Sequence, residues 1–175
     1  MEKSGIIKIA VIGAESTGKS ELCEVLAKYY NTVWVPEYAR EYFNDSDIYN
    51  YTLQDLVTIA KKQIENENIF LKKANKFLFC DTTLITLKIW AELEFNQTPE
   101  FILENVSKVK YDHYFLMTNE VPWMQDVQRQ NKFSRNMIFN MNKVELEKLK
   151  APYNVINGLN DERSNNAIKL IDKLF

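Results

Sequence analysis

Glycine, arginine, cysteine and histidine are all scarce in this chain of 175 residues, which has four glycines, four arginines, two cysteines and one histidine. Two cysteines cannot build a disulfide framework. Cys23 sits in a helical pattern and Cys80 in an apolar run, and both read as buried thiols of a reducing compartment. The single histidine, His113, has no partner residues at metal-ligand spacing and reads as structural. Long apolar runs are missing too. The stretch Ile6–Ile12 falls well short of the roughly 20 residues that span a bilayer, and no small-residue cleavage pattern follows it. Neither sign of charge dominates: a net charge of -2 gives no reason to expect a broad nucleic-acid or membrane-binding face, so the expected partners are small molecules. The expected location is the cytoplasm. There is no repeat, low-complexity tract or Pro/Gly-rich linker, which leaves one domain over residues 1–175.

The scarcity of arginine is selective, because eighteen lysines stand against the four arginines. A bias toward Lys and Asn of the kind an AT-rich coding sequence produces makes each remaining Arg and Gly more informative. Arg supplies a planar bidentate fork and Gly an unhindered backbone, and neither Lys nor Asn replaces them well. The rest of the composition is ordinary, at 46% hydrophobic and 26% charged, enough to bury a single core without staples.

The apolar pattern alternates between two periods. Residues 6–12 form a β-branched run ending at Gly13, as expected of a strand buried on both faces. Leu22, Val25, Leu26 and Tyr29 then recur at helical spacing over about 19–30. Thr32–Val35 reads as a second strand stopped by Pro36, residues 53–75 as a long surface helix, and Phe77–Cys80 as a third strand. Helices over 83–95 and 99–107, a strand at Tyr114–Met117, a helix near 137–150, a strand at Tyr153–Ile156 and a helix over 161–174 complete the pattern. Alternating strands and helices predict an α/β three-layer domain. The polar, aperiodic stretch from 118 to about 135 is long for a structureless loop, and such loops are often lids.

Gly13-Ala14-Glu15-Ser16-Thr17-Gly18-Lys19-Ser20 matches the phosphate-binding pattern G-x-x-x-x-G-K-[ST] between a strand and a helix. Glycines let backbone N–H groups turn inward around phosphates, the lysine reaches the β and γ phosphates, and the hydroxyl ligates Mg²⁺. The N-terminus of the following helix, which carries Glu21, adds its positive end. Residues 13–21 are therefore the expected cradle of a nucleoside triphosphate, with Lys19 and Ser20 its reactive side chains. The loop names a ligand and no reaction. A guanine-reading Asn-Lys-x-Asp is lacking: Asn142-Lys143-Val144-Glu145 falls in a helical pattern and ends in Glu.

Two carboxylates should face this loop, since ligands of open α/β sheets lie beyond the strand ends. Asp81, after four apolar residues, fits the position where a carboxylate holds Mg²⁺ directly or through water. Glu37, just past the second strand, is placed to accept the proton of an attacking hydroxyl. Arg129 and Arg135 in the lid are suited to a transferring phosphoryl group, whose charge spreads over its equatorial oxygens. Trp123 and Asp126 stand near them. Each has a plainer reading: a helix-capping acid, a surface ion pair, or a tryptophan packing the lid onto the core.

The strings Gly13–Ser20, Val35-Pro36-Glu37-Tyr38-Ala39-Arg40-Glu41-Tyr42, Phe79-Cys80-Asp81-Thr82-Thr83 with Thr86 and Trp90, and Pro122-Trp123 through Asp126 and Arg129 resemble the ribosylnicotinamide kinase domain of NadR-type NAD biosynthesis proteins. The order and spacing agree along nearly the whole chain. The resemblance implies a P-loop kinase fold with a five-stranded parallel sheet and helices on both faces. It implies ATP- and Mg²⁺-dependent phosphorylation of the 5′-hydroxyl of nicotinamide riboside to nicotinamide mononucleotide. It points to Glu37, Tyr38, Arg40, Tyr42, Trp90, Trp123 and Asp126 on the acceptor side, where aromatic faces and carboxylates suit a pyridinium cation. Arg163 is expected near the adenine. Two differences stand out. The nucleotidylyltransferase domain and DNA-binding segment of NadR proteins have no counterpart in this sequence, so adenylylation is not expected, and the family's Asp-Gly-Leu-Arg lid string reads Asp126-Val127-Gln128-Arg129. A nucleotide-dependent regulatory ATPase or GTPase, and a kinase of another nucleoside, are the alternatives.

Overall fold

A computed structural model describes residues 5–44, 47–124 and 133–175. The architecture grows outward from strand β1 (Ile7–Ile12), whose last four residues are fully buried. It lies at the centre of a five-stranded sheet of order β2-β3-β1-β4-β5. Its companions are β2 (Trp34–Val35), β3 (Phe77–Asp81), β4 (His113–Met117) and β5 (Tyr153–Ile156), all paired in parallel. A parallel sheet needs crossover helices on its faces, so its central strands are apolar over most of their length.

The seven helices are α1 (Lys19–Tyr29), α2 (Tyr38–Tyr42), α3 (Leu53–Leu71), α4 (Leu84–Phe95), α5 (Glu100–Lys108), α6 (Arg135–Lys148) and α7 (Asn160–Leu174), counted among the described residues. Because side chains alternate across a strand, β1 feeds two cores. Ile9 and Val11 pack with Leu22 and Leu26 of α1 and Ile171 of α7. Ala10 and Ile12 face the other way, toward Leu56 of α3, Ile89 of α4, Ile102 of α5 and Leu146 of α6. The three-layer expectation holds. None of the described helices is long and apolar enough to cross a membrane.

Local departures from the sequence reading have local causes. The second strand begins at Trp34 because Thr32 uses its hydroxyl instead, donating to the Phe77 carbonyl (2.6 Å) and accepting from the Asn75 N–H (2.9 Å). The string after Pro36, left unassigned, is the short helix α2. The long third helix ends at Leu71, His113 belongs to β4, and α6 starts at Arg135, so the expected lid runs directly into a helix. Thr52 and Asp55 form a reciprocal capping box that starts α3.

Candidate active site

The β1–α1 loop has the backbone its sequence requires. Gly13 has φ 146°, and a Cβ there would stand 3.1 Å from Met117 of β4. Gly18 has φ 78° at the N-cap of α1. Thr17 Oγ1 donates to the Ala14 carbonyl (2.9 Å), closing the loop, and Lys19 Nζ folds back to the same oxygen (2.7 Å). The N-terminus of α1 opens onto this cradle, where its unpaired N–H groups and partial positive charge suit an anion.

Arg163 braces the cradle from behind. It is 3% exposed and does not line the cleft. Its Nη1 donates to the Thr17 carbonyl (3.3 Å), its Nη2 pairs with Glu21 (2.8 Å), and the guanidinium occupies the space a side chain on Gly18 would need. Arg163, expected near the adenine, contacts the phosphate loop itself.

In front of the loop lies a cleft of about 490 Å³. The parallel register sets Asp81 opposite Val11, so β3 ends beside the phosphate loop. Asp81 is fully buried, accepts a hydrogen bond from the Ser20 hydroxyl, and leaves its Oδ1 without a protein partner. Burial raises its pKa against the opposing pull of Lys19 and the Ser20 hydrogen bond. Glu37, the N-cap of α2, is largely buried across the cleft, with Arg40 Nε 3.6 Å from its carboxylate. Burial, reinforced by the negative charge of Asp81 and opposed by Lys19 and Arg40, pushes the Glu37 carboxyl up to about 7.

The described arms of the expected lid are tied to the loop's apex. Arg135 Nη1 donates to the carbonyls of Val121 (2.6 Å) and Ser16 (3.3 Å), and the Met124 N–H donates to Ser16 Oγ (3.0 Å). Asp126 and Arg129 lie outside the described residues.

The aromatic residues divide. Trp90 lines the cleft, and so does Trp34, which the sequence reading treated only as part of a strand. Trp123, Tyr38 and Tyr42 do not line it, and the Tyr42 hydroxyl is committed to Asp55 of the α3 capping box. A smaller cavity adjoins the cleft at Glu15, Ile48, Trp90 and Ile138, walled by Tyr51 and Phe133 and edged by Glu94. The Tyr51 phenol is driven upward in pKa by burial and by the negative charges of Glu94 and Glu15, so this end of the site is both aromatic and acidic.

Two further polar residues line the cleft: Thr86 of α4 and Asn142 of α6. Thr86 stood in the family string without a role, and Asn142 was set aside with the failed guanine motif. The signal for Asn142 was its spacing, one helical turn from Ile138 and one from Leu146 on the buried side of α6.

No group of three or more His, Cys, Asp or Glu among the described residues could hold a metal ion. Ser20 and Asp81 offer two oxygen donors, one of them the orphaned buried Oδ1. That set fits a Mg²⁺ ion completed by phosphate oxygens and water.

Comparison with known proteins agrees with this geometry. A family model described as an AAA domain matches residues 8–163. The chain belongs to that AAA-domain family. Over 123 residues this AAA-domain chain is 28% identical to the trifunctional NAD biosynthesis/regulator protein NadR of Salmonella typhimurium, a match covering 67% of the chain and 30% of NadR. A crystal structure of a NadR protein in complex with NR superposes with a TM-score of 0.81 at 19% identity, covering 98% of this chain and 51% of that one. A NadR protein in complex with NAD and AMP-PNP gives a TM-score of 0.73 at 21% identity, covering 97% and 49%. The likeness to NadR is thus present in sequence and in fold, and the chain spans about a third to a half of the NadR proteins it matches.

Proposed function

We propose that residues 1–175 act as one kinase domain that uses ATP and Mg²⁺ to phosphorylate the 5′-hydroxyl of nicotinamide riboside. The observation that carries this reading is Glu37, a carboxyl held near neutrality across a cleft from the phosphate loop, where a hydroxyl acceptor would lie. A regulatory nucleotide switch needs no such group. The likeness to NadR supports the choice of riboside, as does Trp90, which lines the 490 Å³ cleft and offers an aromatic face to a pyridinium ring.

Lys19 leaves the Ala14 carbonyl to reach the β and γ phosphates. Ser20 and Asp81 would hold the metal, which would neutralise charge on the transferring phosphoryl group. Glu37 takes the proton of the acceptor hydroxyl as its oxygen bonds to the γ phosphorus and the bond to the departing ADP oxygen breaks. Asp81 is the poorer base because the Ser20 hydroxyl already occupies one of its oxygens. Arg135, at the head of α6 and bonded to Ser16, brings positive charge to the loop's apex, and Arg129 adds to it from the lid.

The test is ADP release from ATP and Mg²⁺ with a panel of ribosides. Nicotinamide riboside should stimulate it most, with the mononucleotide as the second product. ADP release that no riboside stimulates sinks the proposal.

A further inference from the structure

Among the described residues, three buried side-chain oxygens that lack any hydrogen-bond partner belong to residues lining the cleft: Asp81 Oδ1, Thr86 Oγ1 and Asn142 Oδ1. The metal environment accounts for the first. The other two have no place in the chemistry so far described. Asn142 is 1% exposed, and its Nδ2 donates to the Ile138 carbonyl one turn back (2.9 Å). That bond fixes the amide, so the oxygen is the free end. Thr86 stands one turn before Trp90 on α4, level with Ile89 on the side of the helix that faces the cleft.

A buried polar atom without a partner costs about 1–3 kcal/mol, and native structures contain few of them. Two on facing helices of one cleft point to a ligand that completes them. Their chemistry is complementary: an Asn oxygen only accepts, whereas a Thr hydroxyl can donate. We propose that Thr86 and Asn142 form a polar clamp for the acceptor, gripping a group that presents both a donor and an acceptor. A ribose diol and a primary carboxamide share that property. The clamp rests on the kinase reading and deepens it: the enzyme would select its acceptor by hydrogen bonds that an analogue lacking the group cannot make, the kind of site that rejects such analogues strongly.

Steady-state kinetics and melting of Thr86→Val and Asn142→Leu test this. Thr86→Val replaces the orphaned hydroxyl by a methyl of similar shape, and Asn142→Leu removes the orphaned oxygen together with the Nδ2 bond to the Ile138 carbonyl. Each variant should raise the acceptor KM about tenfold or more and leave the ATP KM within about twofold, and Thr86→Val should melt no lower than the parent. Deoxy ribosides and a riboside without its carboxamide identify the group held, because the variant's penalty disappears with the analogue that lacks it. Wild-type acceptor KM in both variants, or a penalty that persists with every analogue, overturns the clamp while the kinase assignment stands. A parent protein that phosphorylates no riboside overturns the kinase assignment and the clamp together.

Discussion

Two carboxylates are buried at opposite edges of the same sheet and live very differently. Glu67 of α3 lies near the edge where the strands begin. It is 2% exposed, and both its oxygens are used: Lys8 Nζ stands 2.9 Å from one, and the Tyr111 hydroxyl donates to the other at 2.6 Å. Lys8 also sits 4.5 Å above the Tyr111 ring, closing a compact triad. Asp81, at the edge where the strands end, has one oxygen bonded to Ser20 and the other to nothing. A buried charge satisfied within the chain is architecture; one left half satisfied is prepared for something that arrives later.

The comparison can be broken from either side. Replacing Lys8 by Met should have the largest effect on stability, about 3–5 kcal/mol by urea unfolding, because Glu67 would keep a buried charge without its counterion. Any folded fraction should retain the parent's KM for ATP. A stable variant with damaged kinetics would reverse the two roles. Lys19→Ala should lower kcat about 10²–10³-fold with little change in melting temperature. Turnover that persisted would place the phosphates elsewhere. Glu37→Gln should cost about 10²-fold in kcat/KM and flatten its pH profile. In the parent, kcat/KM should climb as pH rises through about 7, where Glu37 loses its proton.

The smallest effect is on the pH dependence of stability. Glu37 and Asp81 both have raised pKa values, so between the ordinary carboxylate range and about pH 7 the folded chain holds protons that the unfolded chain has lost. Stability therefore declines as pH rises through that window, opposite to the usual behaviour of paired carboxylates. Denaturant melts at a series of pH values should show a shallower decline in Glu37→Gln. An equal slope in both proteins would mean that Glu37 titrates normally.

Much of this was legible in the residues, and what escaped did so for physical reasons. The buried strands and the phosphate loop are written in local patterns: β-branched runs, and glycines where φ is positive. The two acids at strand ends followed from the rule that ligands gather there. Helix α2 was hidden because five residues hold barely one turn of periodicity. Tyr42 looked like an acceptor-side aromatic, yet its hydroxyl is spent on Asp55, thirteen positions away in the chain. Asn142 was read against the wrong motif, since only the packing of α6 over the cleft turns it into a contact. Arg163 depends on a meeting of α7 with the β1–α1 loop that no local pattern reports.

That meeting has a consequence for how the protein is made. The contact between Arg163 and the Thr17 carbonyl joins residues 146 positions apart. The phosphate loop is synthesised before the arginine that backs it, which arrives only with α7. Until α7 docks, Gly18 has an empty space behind it and Glu21 has lost the arginine that pairs with it. A growing chain can lay down β1 and α1 and still lack a rigid cradle, so nucleotide can act as a folding ligand only once α7 has been made and docked.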